Sequence, residues 1–168
     1  MGTIDNKIKA LVIPSGSVKD DLERAKAAIQ YSKENNLNVP YIISGLGPDT
    51  NIALGYDENK TNKKLDFHKE LYHYMMKNKK GIIGIDIKSV NSVKNILYSF
   101  PKGTNGKYAI FSYPLHLKRF EKIISKAKEK DKISKDLEII YIPTKQNLKQ
   151  IIYEKLFAKK RKKDLEKI

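Results

Sequence analysis

The chain has no cysteine and no tryptophan, and only three of its 34 basic residues are arginine. Without cysteine there is no disulfide, thiolate nucleophile, cysteine-ligated zinc or iron–sulfur cluster. Glycine and proline are sparse, nine and six in 168 residues, and no stretch of them reads as an internal linker. No apolar run approaches the ~18 residues that a transmembrane helix needs. The opening MGTIDNKIKALVIPSGS lacks the charged-then-apolar pattern and cleavage site of a leader. Asn6 also breaks the myristoylation pattern. A cytoplasmic location is the expectation.

What remains is enough for one domain. A chain of 168 residues, 40% of them hydrophobic, can bury a real core. Its formal charge of +15 is uneven. Residues 1–84 hold 13 basic and 10 acidic side chains, a net of +3, whereas residues 85–168 hold 21 and nine, a net of +12. Such a field attracts nucleotides, nucleic acid and acidic lipid, although lysine-rich composition also produces plain solvated surface.

Apolar, β-rich runs alternate five times with amphipathic stretches. The strand runs are 8–13, 39–43, 81–87, 107–111 and 137–142. The helical ones are 18–35, 61–78, a segment capped by Ser89 and carrying Val90 to Phe100, 114–130, and one from Gln146 onward. Strands apolar on both faces, each followed by a helix, are βαβ units of a parallel sheet. The expected fold is α/β: a three-layer, Rossmann-like domain over residues 1–157, with a mostly parallel sheet of about five strands. Residues 158–168, AKKRKKDLEKI, read as a basic helical tail, a solvated and fraying end.

In open α/β sheets the ligand lies beyond the carboxyl ends of the strands. Small and hydroxyl residues recur there. Ser15 and Gly16 follow the first strand run, and Ser44 and Gly45 the second. Ser89 and Asn91 follow the third, and Ser112 and Tyr113 the fourth. Glycine gives backbone access, and hydroxyls and free amides hold phosphate or carboxylate, although turns favour the same residues. The long 45–62 loop lies at this rim too. In a chain that otherwise spends lysine, Arg24 and Arg119 supply the planar fork that lysine cannot copy. His116, three residues before Arg119, shares its helix face and reads as the candidate catalytic group. Asn91 and Asn95, four apart, read as a ligand-orienting pair or as a cap and clamp. His68 and His73 are five apart, which suits no paired ligation, and no metal site is expected. Ser112, His116 and Asp86 contain the residue types of a hydrolase triad, a combination that chance often supplies.

These residues resemble the YdcF, SanA and ElyC group, a domain of unknown function numbered 218. ALVIPSGS with Arg24 in LERAKAA is similar to its first strand and following arginine. IISGLG keeps Ser44 and Gly45 of a Ser-Gly-Gly turn, with Leu46 for the second glycine. SVNSVKN resembles Ser-x-Asn-Thr-x-Glu-Asn, keeping Ser89, Asn91 and Asn95, with Ser92 for threonine and Lys94 for glutamate. FSYPLHLKR resembles Thr-Ser-x-x-His-x-x-x-Arg or a close variant of it, with Ser112 and Tyr113 at the Thr-Ser positions, then His116 and, one position early, Arg119. The family also carries a glutamate opening the helix after the Ser-Gly-Gly turn, for which Asp66 and Glu70 are the candidates.

The resemblance implies a Rossmann-like domain and, from one member, S-adenosylmethionine binding. Other members affect the cell envelope, and several of those have membrane anchors. The expected function is binding of a nucleotide-type or phosphorylated small molecule, with S-adenosylmethionine the specific ligand implied. Both a plain binder and an enzyme, a transferase or hydrolase, fit this pattern. The alternative is a non-catalytic protein that binds nucleic acid or another anionic polymer through the basic C-terminal half.

Overall fold

The computed structural model describes residues 7–14, 18–44, 82–86, 91–166 and 168. The expected helix over 61–78, the 45–62 loop, Asp66, Glu70, His68 and His73 lie outside these residues. In chain order the elements are β1 (Ile8–Pro14), α1 (Val18–Glu34), β2 (Tyr41–Ser44), β3 (Ile82–Asp86) and α2 (Ser92–Ser99). Then follow β4 (Gly106–Ser112), α3 (Pro114–Glu129), β5 (Leu137–Pro143), α4 (Leu148–Leu156) and α5 (Ala158–Glu166).

The described strands form one sheet of five, all parallel, in the order β3-β2-β1-β4-β5. The expected Rossmann-like α/β architecture is therefore present. β1 occupies the middle and is buried on both faces from Ala10 to Pro14, which is why IKALVIP does not alternate. β2 starts at Tyr41 and not at Val39. Pro40 has no N–H for a ladder and contributes only its carbonyl, which accepts from the Leu11 N–H at 3.0 Å.

Side chains of successive strand residues enter opposite layers. Leu11, Ile13, Ile43 and Phe111 meet Ala25, Ala28 and Ile29 of α1 on one face. Val12 and Ile110 meet Ile96, Phe100, Phe120, Ile123 and Ile124 of the α2–α3 side on the other. Ala25 and Ala28 let α1 lie close on the sheet, while Phe111 and Tyr31 meet edge-to-face at 5.6 Å.

Helix ends follow local chemistry. α1 opens with Asp20 and Asp21 and closes near Lys33, each favourable to the helix dipole. Asn36 then takes a left-handed φ of 50°, a backbone state asparagine tolerates better than most residues. α2 is capped by Asn91, whose side-chain oxygen accepts from the Lys94 N–H at 2.9 Å. This corrects the expectation that Ser89 caps a helix from Val90: the helix begins at Ser92. α3 begins with Pro114, whose missing N–H costs nothing there.

The C-terminal segment is two helices, and the expected tail is helical over Ala158–Glu166. Asn147 and Gln150 form a reciprocal capping box at the start of α4. Leu165 and Ile168 pack against the α2–α3 core. Arg161 is turned back onto Glu154.

Candidate functional site

The chain steps outward from β1 through β2 to β3, then crosses to β4 and β5 on the other side. The switch point lies between β1 and β4, where doubly wound sheets hold their ligands. The register sets Pro14, Ser44 and Asp86 side by side on one half of the rim, and Ser112 beside Pro143 on the other. α1 and α3 start from the two strands that flank the switch point. They bring Arg24 and the His116–Arg119 turn to it.

Arg24 is 1% exposed. Its Nη1 donates to the Pro14 carbonyl at the end of β1 and lies 3.4 Å from Asp21 Oδ1. Its guanidinium carbon is 5.6 Å from the centre of the Tyr113 ring. A buried cation held by a carbonyl, a carboxylate and a ring face is fixed in direction, and among the described residues no hydrogen-bond partner is found for Nε.

His116 is the hub of the β4 side. Its Nδ1 is 2.9 Å from Ser112 Oγ and its Nε2 is 3.2 Å from Ser92 Oγ. Either neutral tautomer satisfies both hydroxyls, one ring nitrogen donating and the other accepting. The ring lies between Tyr113, at 5.2 Å, and Phe120, at 4.1 Å. Burial holds its pKa well below the ordinary histidine value, and the charges of Arg119, Arg24 and Arg161 push the same way. The imidazole is therefore neutral at neutral pH.

Arg119 joins this hub to the C-terminal helices. Its Nη2 donates to Ser92 Oγ at 2.7 Å, and its Nη1 lies 3.0 Å from both oxygens of Glu154. The Tyr113 hydroxyl donates to Glu154 Oε1 at 2.7 Å, and Arg161 donates to Oε2. Burial and the neighbouring Glu154 raise the Tyr113 pKa, so the phenol keeps its proton. Burial lowers that of Arg119, against the opposing pull of Glu154. Glu154 is thus an internal anion seated on two arginines and a phenol. Gln150, one turn earlier on α4, donates to Asp20 Oδ1 of α1 at 2.7 Å, so α4 spans from α1 to α3 across the rim.

The structure brings Arg24, Ser112, Tyr113, His116 and Arg119 together at the switch point. Ser44 and Asn95 are buried nearby, at the end of β2 and one turn beyond Ser92. Asn91 is placed apart from them, as an exposed helix cap, so the two asparagines do not form one face. Ser15, Gly16, Gly45 and Ser89 lie outside the described residues. Residues absent from the expected site are Ser92, Glu154 and Arg161. Ser92 stands at the threonine position of the resemblance. Glu154 is the one acid between Glu138 and Asp164, and that isolation was the available signal.

The chemistry open to this cluster is narrow. Ser112 and His116 form a hydrogen-bonded pair, but a triad needs a carboxylate on the second ring nitrogen. Among the described residues that place is taken by the Ser92 hydroxyl. A neutral, buried imidazole serves as a hydrogen-bond donor or acceptor toward a ligand. A depression of about 470 Å³ between α1 and the end of β5 is lined by Lys26, Lys33 and Lys145 and includes none of these groups.

Comparison with family models, curated proteins and solved structures finds no match to this chain.

Proposed function

We propose that this protein binds a small molecule bearing a phosphate or carboxylate at the carboxyl-end rim of its sheet, as a YdcF-like domain. One observation carries the reading. Among the described residues, Arg24 Nε, Ser44 Oγ, Asn95 Oδ1 and Arg119 Nε are buried polar atoms for which no hydrogen-bond partner is found, and their residues sit on elements that start or end at that rim. A buried donor or acceptor left unpaired costs about 1–3 kcal/mol, and such groups in a native protein call for a partner. The two guanidiniums present donors, as an anion requires. Ser44 and Asn95 add a hydroxyl and an amide oxygen for ribose or amino groups.

S-adenosylmethionine is the ligand that the family resemblance names. Its carboxylate and ribose would meet these groups, while its sulfonium gains nothing from a chain of charge +15. A phosphorylated nucleotide fits the charge better. His116 would orient the bound group through a ring nitrogen.

A second reading, binding of nucleic acid or another anionic polymer without catalysis, is favoured by the exposure of Lys149, Lys155, Lys159, Lys162 and Lys163. It would show a steep loss of affinity with salt.

The test is a thermal-shift screen of the wild type and Arg119→Lys. The ligands are S-adenosylmethionine, its demethylated product, mono- and dinucleotides, sugar nucleotides and inorganic phosphate. A ligand at 100 times its Kd stabilises by about 2.7 kcal/mol. The expected result is a shift in the wild type that shrinks or vanishes in Arg119→Lys, which keeps the charge and loses the fork. No shift with any of these ligands sinks the reading.

A further inference from the structure

An amphipathic helix on a domain surface ordinarily turns its apolar side inward. α4 does the reverse. Its inward side carries Gln150, bonded to Asp20, and Glu154, bonded to Arg119, Tyr113 and Arg161. At about 100° per residue, Leu148, Ile152 and Leu156 run along the opposite side. Leu148 is 70% exposed and Leu156 74% exposed, and Ile152 is also open to solvent. Tyr153 and Phe157 extend this surface, their rings 4.6 Å apart and both exposed. No residue of α4 is buried. Among the described residues, the other large exposed hydrophobic is Tyr98 alone, so the apolar surface is concentrated on this one helix.

The surrounding exposed charge is predominantly positive. Lys149 and Lys155 lie on α4 itself, and Lys159, Lys162 and Lys163 on α5; all are exposed. The acids of the same stretch do not balance them. Glu154 faces inward and Asp164 is half-buried, leaving Glu166 exposed.

We propose that the outer face of α4, with the lysines of α4 and α5, is a docking surface for an anionic lipid bilayer. Aliphatic and aromatic side chains with flanking lysines are what an interfacial helix presents to acidic headgroups and the acyl boundary beneath them. Charge decides against a second copy of the chain, because a symmetric contact would set one lysine cluster against the other. This surface is separate from the rim groups that carry the proposed function, and the two stand or fall independently.

The whole protein is sedimented with vesicles of phosphatidylcholine alone and of phosphatidylcholine mixed with phosphatidylglycerol, across a salt series. Because the chain lacks tryptophan, Ile152→Trp reports on that side chain alone. The expected result is partition onto anionic vesicles, weakening with salt, and a blue shift of Ile152→Trp emission with anionic but not neutral vesicles. Replacing Leu148, Ile152 and Leu156 together by glutamine, at exposed positions that leave the circular dichroism unchanged, should lower partition about tenfold or more. Three outcomes overturn the proposal. The wild type stays in the supernatant with anionic vesicles at low salt. The triple variant binds as well as the wild type, which reduces the effect to charge adsorption. Or the wild type dimerises, or prefers duplex DNA to vesicles, with the vesicle signal absent.

Discussion

Glu154 places both carboxylate oxygens 3.0 Å from one guanidinium nitrogen of Arg119, joining α4 to α3. Both side chains are mostly buried, and the same carboxylate takes Arg161 and the Tyr113 hydroxyl. Removing one partner leaves the other charge uncompensated in a poorly solvated place. Glu154→Gln is therefore expected to cost about 2–3 kcal/mol, somewhat below a fully buried pair because water still reaches this one. The double variant Glu154→Gln with Arg119→Met should lose less than the sum of the two single losses, with a coupling of about 1–3 kcal/mol. Urea unfolding of the four proteins measures it, and strict additivity would show that the contact does not couple.

His116 gives stability a pH dependence of known sign. Its folded-state pKa lies well below the unfolded value, chiefly through burial. Below about pH 6.5 the unfolded chain takes up a proton that the folded one refuses. Stability is thus full above that pH and falls as the pH drops toward the folded-state pKa, by at most about 1.4 kcal/mol per pH unit for one group. Thermal midpoints at pH 7.5 and pH 5 should differ more in the wild type than in His116→Gln. Equal differences in the two proteins would remove His116 as the source.

The two asparagines of the SVNSVKN segment should separate cleanly. Asn91 caps α2, so Asn91→Ala is expected to cost about 1 kcal/mol, with Asn91→Asp or Asn91→Ser largely neutral. None of these should change ligand-induced thermal shifts. Asn95 is buried, and its side-chain oxygen finds no partner among the described residues, so Asn95→Ala should cost little stability and diminish the ligand shift. Ligand shifts that respond to Asn91 and not to Asn95 would reverse the two roles.

Gly103 and Gly106 precede or open β4 with φ of 99° and 89°. A Cβ at Gly103 meets nothing within 4 Å, so Gly103→Ala isolates the backbone cost, about 1–2 kcal/mol. At Gly106 the same Cβ would come within 2.5 Å of Lys9 Cε and disturb the Lys9–Asn105 hydrogen bond of 2.9 Å. Because the lysine stem can swing aside, Gly106→Ala should exceed Gly103→Ala by only a few tenths of a kcal/mol. Chemical denaturation of both variants tests the order.

The sheet was readable because a central parallel strand must be apolar on both faces, and IKALVI and its counterparts announce that without ambiguity. Boundaries were less readable where two residues compete for one role. In SVNSVKN both Ser89 and Asn91 are good caps, and intrinsic preference does not separate them. The His116–Arg119 pairing followed from helical spacing, and its partner Ser112 from the strand end. Glu154 and Arg161 could not follow from spacing, since they reach the cluster from α4 and α5 by tertiary contact. Arg161 sits in a lysine run and looks arbitrary until its carboxylate partner is seen. The tail resembled solvated sequence because, among its described residues, two apolar side chains, Leu165 and Ile168, pack on the core, too few to give a periodic signal.

The central place of β1 has a consequence for synthesis. Its β2 neighbour follows within one helix, but its other neighbour is far away: Leu11 pairs with Tyr41 on one edge and with Ala109 on the other. As the chain emerges from the ribosome, β1, β2 and β3 can assemble first, with one side of β1 bare. That bare edge belongs to the central strand of the sheet, buried from Ala10 to Pro14, and stays open until residues 106–112 arrive. Pairings of such long reach are slow to form, and an uncovered apolar edge recruits other chains. Fragments that stop before β4 should therefore aggregate, while fragments that extend past β5 should not.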